Sequence, residues 1–363
     1  MKTISEIIGG AQVLLDIDFD LQGCFEENLT EAHKTFLHMI RVLESAQKPL
    51  LRLYAGVGRR PLHYTPFMRS MWAKSFFGID KTSNLINRLK SDPNLRLLCG
   101  FKKVPGKASF SRAFGYLSST SIVEETLDTL VVNTHKDRVV YHVCRDSTAI
   151  KAREKWPEKK AKEVKYKRGR PKKGEIRLKR RKTYLLKQQV QEPLEVSLAD
   201  IPKLCSYGRK QTSKGNAQYW LGYKLHLDVS DTGFPLSAIV SSANVQDCHA
   251  AIILEKMTER KIQSCYSLMD SAYDAQVIKD FIESRGRVPV IETNPRWKHR
   301  LSLDPAKKER YKIRTTVERA YSYLKENLIP KNIYVKGYQK VTFVIMSAVL
   351  CLAALRAIQF FIL

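Results

Sequence analysis

The sequence predicts an α/β fold, a mixed sheet with flanking helices, preceded by a mostly helical N-terminal domain. Residues 1–120 read as mostly helical. Arg138–Arg145 is a β-branched and aromatic run, the first strong strand. From Tyr219 onward, strand-like and helix-like stretches alternate, as in a mixed α/β domain. With 44% hydrophobic residues over 363 positions, the chain can bury a sizeable core.

In Thr30–Ala46, Phe36, Met39, Ile40 and Leu43 recur at helical spacing. Ser83–Leu89 and Ser109–Leu117 are shorter helical candidates, the latter with a Phe110, Phe114, Leu117 stripe that leaves Ser111 and Arg112 outside. The turn before it holds Lys102, Lys103, Pro105, Gly106 and Lys107. A helix, such a turn and another helix fit a helix-turn-helix DNA reader and equally an ordinary helical packing domain. Past the first strand, Tyr219–Val229 and Phe234–Ser242 read as a hairpin about Asp231-Thr232-Gly233. Ala250–Met257 reads as helix, Tyr266–Asp270 as a short strand, Ala275–Ser284 as helix and Val288–Ile291 as strand. Pro305–Leu328 is charged and helical. A hairpin followed by βαβ alternation suits an RNase H-like sheet. The expected boundaries are a helical DNA-binding domain at 1–125, the first strand at 126–150, a basic insertion at 151–215, the rest of the α/β domain at 216–335 and an apolar C-terminal helix at 336–363.

The charge is lopsided, with 63 Lys+Arg against 36 Asp+Glu, formally +27. That balance points to nucleic acid as partner rather than to a fold. Residues 151–190 carry 18 Lys/Arg against 4 Glu, half of the net charge. Within this stretch Lys167-Arg168-Gly169-Arg170-Pro171-Lys172 resembles the core of an AT-hook, in which Arg side chains enter a narrow minor groove. Arg168, Arg170 and Lys172 are therefore DNA-contact candidates, with non-specific phosphate contact as the plainer reading.

Seven cysteines at wide spacing, without a CxxC pair, argue against a disulfide framework or a zinc site and fit a reducing compartment. The start of the chain lacks the pattern of a secretory signal. Val341–Leu363 is long and apolar enough to span a bilayer. Arg356 interrupts it, so burial against a core is the expectation, with no membrane partner and a cytoplasmic location.

Three acids stand out by position: Asp146 closing the first strand, Asp270 closing Tyr266–Met269, and Glu318 on a helix spanning Arg310–Asn327. Strand C-termini are where α/β sheets hold ligands. A carboxylate at a strand end is more often a turn or cap residue, so position alone does not decide. Asp228, Asp231 and Asp247 fall in or near turns, and Asp274 lies close to Asp270. His226 and His249 read as packed or surface histidines. On the helix, Tyr311, Arg314, Glu318 and Lys325 fall on about one face of a 3.6-residue period, next to Arg319.

Tyr-x2-Arg-x3-Glu-x6-Lys, as it stands at Tyr311, Arg314, Glu318 and Lys325, resembles the YREK signature of bacterial insertion-sequence transposases of the DDE class. Arg145–Lys155 is similar to that family's first-acid block and Met269–Asp274 to its second. Gly222–His226 and Ala243–Asp247 resemble the segments between them. The resemblance implies an RNase H-like domain in which Asp146, Asp270 and Glu318 are catalytic and hold two Mg²⁺ ions, Mn²⁺ being an alternative. It implies that Tyr311, Arg314 and Lys325 contact double-stranded DNA, with the terminal inverted repeats and the target as partners; the adjoining cation Arg319 is a further DNA-contact candidate. The expected reaction is hydrolysis at a transposon end, followed by joining of the freed 3′-OH to target DNA, by a homodimer on DNA. A nuclease of the same fold and a non-catalytic DNA-binding derivative are the rival readings. Only 47 residues separate Asp270 from Glu318, too few for the β-rich insertion of some relatives. Trp297, in that interval, reads as a structural tryptophan.

Overall fold

The computed structural model describes residues 28–50, 62–154, 186–211, 215–294 and 303–361. Arg168, Arg170, Lys172 and Trp297 lie outside them. The N-terminal region is helical: α1 (Glu31–Ala46), α2 (Thr65–Phe76), α3 (Thr82–Ser91), α4 (Pro93–Leu98), α5 (Lys107–Leu117) and α6 (Ile122–His135). Thr30 caps α1 by accepting from the His33 N–H at 3.3 Å, and the spaced apolar residues Phe36, Met39, Ile40 and Leu43 are buried. α5 buries Phe110, Ala113 and Leu117 and leaves Arg112 exposed. α2 was hidden in the sequence because it is buried on most sides, including Phe67, Met68, Met71, Trp72 and Ala73, so no apolar stripe alternates with a polar one. α6 runs across the boundary expected at residue 125.

The sheet has six strands: β1 (Val139–Lys151), β2 (Ser206–Gln211), β3 (Ala217–Ser230), β4 (Pro235–Ser242), β5 (Gln263–Met269) and β6 (Val288–Ile291). β3 pairs antiparallel with β1, β2 and β4, while β1, β5 and β6 run parallel in that order. The sequence β4–β3–β1–β5–β6 across the sheet is an RNase H-like arrangement, as expected. Two short helices, α7 (Leu186–Gln191) and α8 (Leu194–Asp200), precede β2. Residues 186–211, assigned above to the basic insertion, thus supply two helices and a strand. α9 (Cys248–Glu259) and α10 (Gln276–Ser284) connect β4 to β5 and β5 to β6.

Asp146 does not close the first strand. β1 continues to Lys151 because β3 pairs with it as far as Lys151↔Gly222. What ends near Asp146 is the parallel ladder with β5, whose last pair is Cys144↔Leu268. Gly222 allows the extension: it has φ +155°, and a Cβ there would strike the Ile150 carbonyl and the Ala152 nitrogen.

The helix expected over Arg310–Asn327 is irregular. α11 (Pro305–Tyr311) passes through a 3₁₀ turn (Lys312–Arg314) into α12 (Thr315–Tyr323), which ends in a π turn (Leu324–Leu328). Such departures from the α-helical period often mark functional segments. The C-terminal helix α13 (Tyr338–Phe361) is long and apolar enough to cross a membrane, yet most of it is buried inside the protein. It packs against α1, α2, α6 and β4. Its buried residues share one core with the N-terminal helices and the sheet.

Candidate active site

The parallel register of β1 and β5 sets the two aspartates side by side. Two residues past the last ladder pair, Cys144↔Leu268, come Asp146 on one strand and Asp270 after the other. Each carboxylate is oriented by the backbone that follows it. Asp146 Oδ1 accepts from the Ser147 N–H at 2.7 Å. Asp270 Oδ1 accepts from the Ala272 N–H at 3.0 Å and caps a 3₁₀ turn, Ser271–Tyr273. Burial pushes the Asp146 carboxyl up to about 6, with Asp270 and Asp247 adding repulsion against the opposing Ser147 N–H and Arg314. Burial likewise raises Asp270.

The irregular helix brings the third acid near. Arg314 Nη2 donates to Glu318 Oε1 at 2.5 Å, and Arg314 Nη1 lies 3.8 Å from Asp146 Oδ2. The guanidinium therefore spans the first and third acids. It also sits over the Tyr311 ring, 5.4 Å from its centroid, and burial, with Glu292 just beyond β6 and Asp270 adding to it, raises the Tyr311 phenol above its usual range. Tyr321 anchors the helix to the sheet, its hydroxyl donating to the carbonyls of Asp146 at 2.6 Å and Leu225 at 3.1 Å. Lys325, in the π turn, is lowered by burial and by Lys210 and Lys151, against the pull of Asp146. Tyr311, Arg314 and Lys325 thus all adjoin the acids, although they sit in three different helical geometries rather than on one regular face. Arg319 lies apart, lining an open groove of about 770 Å³ with Arg310 and Lys312.

Asp228, the other acid facing β1 across the ladder, is excluded as a ligand by burial and pairing. It is fully buried and takes a two-pronged ion pair from Arg145, Nε–Oδ1 and Nη2–Oδ2 both at 2.7 Å. Arg145 also donates to Glu255 at 2.8 Å, and Arg287 completes the network by pairing with Glu255 and Glu259. Asp274 is likewise occupied, accepting from Lys279 Nζ at 2.6 Å and the Asn294 N–H at 2.8 Å. His226 is fully buried on Ser241 at 2.8 Å.

One residue set aside as a turn residue belongs here. Asp247 Oδ1 accepts from Ser147 Oγ at 2.6 Å and from Lys224 Nζ at 2.8 Å. Asp247 follows β4 at the start of α9. Its signal in the sequence was its place in the block Ala243–Asp247, between the two acid blocks.

A divalent cation of the Mg²⁺ type prefers hard oxygen ligands. Asp146 and Asp270 supply these, with carboxylates whose charge is poorly compensated. Glu318 is turned onto Arg314, and among the described residues no three His, Cys, Asp or Glu side chains converge closely enough to hold one ion. The pair of aspartates fits such a cation.

Residues 137–354 match the family described as Transposase DDE domain, and residues 24–115 match Transposase domain (DUF772). No curated protein and no solved structure matches the chain significantly. DDE transposases use divalent metal ions and act on DNA. The first match spans both aspartates, Glu318 and the whole sheet, well over half of the chain, and the chain belongs to the DDE transposase family.

Proposed function

We propose that the protein binds transposon ends as a homodimer, cuts DNA at the end and joins the freed 3′-OH to target DNA, with Asp146, Asp270 and Glu318 as the metal-holding acids of the YREK branch. One observation carries the reading: Asp146 and Asp270 stand side by side just past the end of the parallel β1–β5 ladder, and Arg314 bridges Asp146 to Glu318. A bound divalent cation, Mg²⁺ or Mn²⁺, supplies Lewis-acid activation of the attacking oxygen and charge stabilisation of the leaving one. In the first reaction a water oxygen bonds to phosphorus and the P–O3′ bond breaks, leaving a 3′-OH and a 5′-phosphate. In the second that 3′-oxygen attacks a target phosphorus and displaces the target's own 3′-oxygen. No covalent bond to the protein forms.

The side chains prepare this chemistry. Asp146 and Asp270 hold the cation. Arg314, Tyr311 and Lys325 grip phosphates flanking the scissile bond, with Arg319 and the basic segment holding Arg168, Arg170 and Lys172 farther along the DNA. When a phosphate takes the Arg314 guanidinium, Glu318 is released toward the aspartates. Two ends must be held at once, hence two protomers.

The test is cleavage of a labelled fragment carrying the element's own end, in Mg²⁺, by wild type and by Glu318→Gln. Cutting by wild type that vanishes in the variant while DNA binding persists is the expected result. Binding without cutting by both proteins, in Mg²⁺ and in Mn²⁺, would replace this reading with a non-catalytic DNA-binding protein.

A further inference from the structure

We infer that Asp247, clamped by Ser147 and Lys224, is a positioning residue that fixes the Asp146 carboxylate and, with Lys224, sets how strongly the site takes a divalent cation. The inference rests on the metal-dependent reading of Asp146 and Asp270.

The geometry is specific. Ser147 touches both acids, its N–H donating to Asp146 Oδ1 and its hydroxyl to Asp247 Oδ1. Neighbouring residues of a strand point to opposite faces, so Ser147 and Asp146 face opposite sides of β1. Lys224 and His226 lie on the Ser147 side, since they pair with Ala149 and Ser147 in the ladder. Arg314 pairs with the Asp146 side chain directly, while Asp247, itself held by Lys224, takes the hydroxyl of the next residue on the opposite face. The Lys224 ammonium is spoken for twice, by Asp247 and by the Val245 carbonyl at 2.9 Å. It is only 13% exposed, so its charge is felt at short range.

A second observation comes from Tyr273, buried among the same acids. Tyr273 is fully buried and its hydroxyl has no hydrogen-bond partner among the described residues. Its electrostatic neighbours are Asp247, Asp146, Tyr321 and Asp270. A buried hydroxyl is costly to leave unpaired. This one is placed to meet a polar group brought in among the acids. Among the described residues no three acids converge on one point, and Asp247 is taken up by Ser147 and Lys224, so it acts through Ser147 and through its field rather than as a ligand.

Opposite charges give the test a sign. Losing the Asp247 charge leaves Lys224 uncompensated beside the aspartates and weakens cation binding. Losing the Lys224 charge strengthens it. The full-length protein would be titrated with Mn²⁺, following free Mn²⁺ by electron paramagnetic resonance, with and without the DNA end. The proteins are wild type, Asp146→Asn, Asp247→Asn, Lys224→Gln and the double Asp247→Asn/Lys224→Gln variant. Thermal unfolding of each shows that it is folded. Support of a metal ligand by outer partners is typically worth about ten- to a hundredfold in affinity. Asp247→Asn is expected to weaken Mn²⁺ binding by about tenfold, Lys224→Gln to tighten it, and the double variant to return toward wild type. Equal weakening by both single variants, or no change in either, would overturn the inference while leaving the metal site standing. Mn²⁺ binding unaffected by Asp146→Asn, or absent from wild type with and without DNA, would overturn the metal reading itself and this inference with it.

Discussion

Arg145 and Asp146 are neighbours on one strand and serve opposite ends. Alternation along β1 turns Arg145 into the core, where it meets Asp228 and Glu255, and leaves Asp146 partly open beside Arg314. A buried ion pair that loses one partner strands the other charge, at a cost of about 3–5 kcal/mol. Arg145→Met should therefore lower unfolding stability by about that amount in urea titration; a loss below about 1 kcal/mol would mean that Asp228 and Glu255 find other partners. Two residues give pH slopes of opposite sign. Asp146 is raised to about 6 from the ordinary carboxylate value near 3.8. Its contribution is fully present below the lower value and is lost as pH rises through the upper one. With a metal chelator present, the stability of wild type relative to Asp146→Asn should therefore fall between pH 4 and 6. His226 is lowered by burial to about 4 from 6.5. Its neutral form is the folded one, so stability is present above 6.5 and drains as pH falls toward 4. His226→Gln, measured by urea unfolding across that range, should flatten the acid limb. Asp146 was legible because a strand ran into it with Ser-Thr following. Asp228 and Asp247 were not distinguishable from turn residues, since what separates them is the partner across the sheet. That partner depends on a register which local pattern does not specify.

At the scale of elements, strands and helices with one wet face were readable and those without were not. α1 and β6 match their apolar patterns within a residue or two. α2 is covered on most sides, and α7, α8 and β2 follow directly on a basic stretch that hides them. The extent of β1 was misread because a strand end seen in sequence marks a change of composition, not a change of partner. β1 outlives β5 by clinging to β3, and Gly222 is what permits it. Gly222→Ala would drive a methyl group into the Ile150 carbonyl. The far end of the β1–β3 ladder should open, with faster amide hydrogen exchange at Ile150–Ala152 than in wild type. Unchanged protection there would mean that the strands can shift apart without losing the pairing. Regular helical spacing also misled in one respect: Tyr311, Arg314 and Lys325 converge on the acids through a 3₁₀ turn and a π turn. Four offsets in a sequence cannot reveal that change of pitch.

The whole molecule is a basic protein built around a site of acids. One continuous core joins the N-terminal helices, the sheet and α13, so the terminal helix that resembles a membrane span in composition is a structural member of the fold. The net charge of +27 cannot be spread evenly if carboxylates are to collect at one point. Around that point Arg314 partly offsets Asp146 and Lys224 pairs with Asp247, while Lys325 is attracted by Asp146 and repelled by Lys151 and Lys210. On the proposed reading the outer members of this set meet DNA phosphates. Phosphate contacts release counterions, and the logarithm of affinity falls with the logarithm of salt by about 0.9 for each phosphate neutralised. Lys325→Gln should then reduce the steepness of the salt dependence by about 1, with similar weakening on transposon-end and unrelated DNA. Arg112→Gln, on the exposed side of α5, tests the N-terminal helices in the same way. A slope that Lys325→Gln leaves unchanged would take that lysine off the phosphate track and leave it as a counter-charge for Asp146 alone. A slope reduced by Arg112→Gln, together with a loss confined to transposon-end DNA, would make α5 a reader of sequence rather than a packing helix.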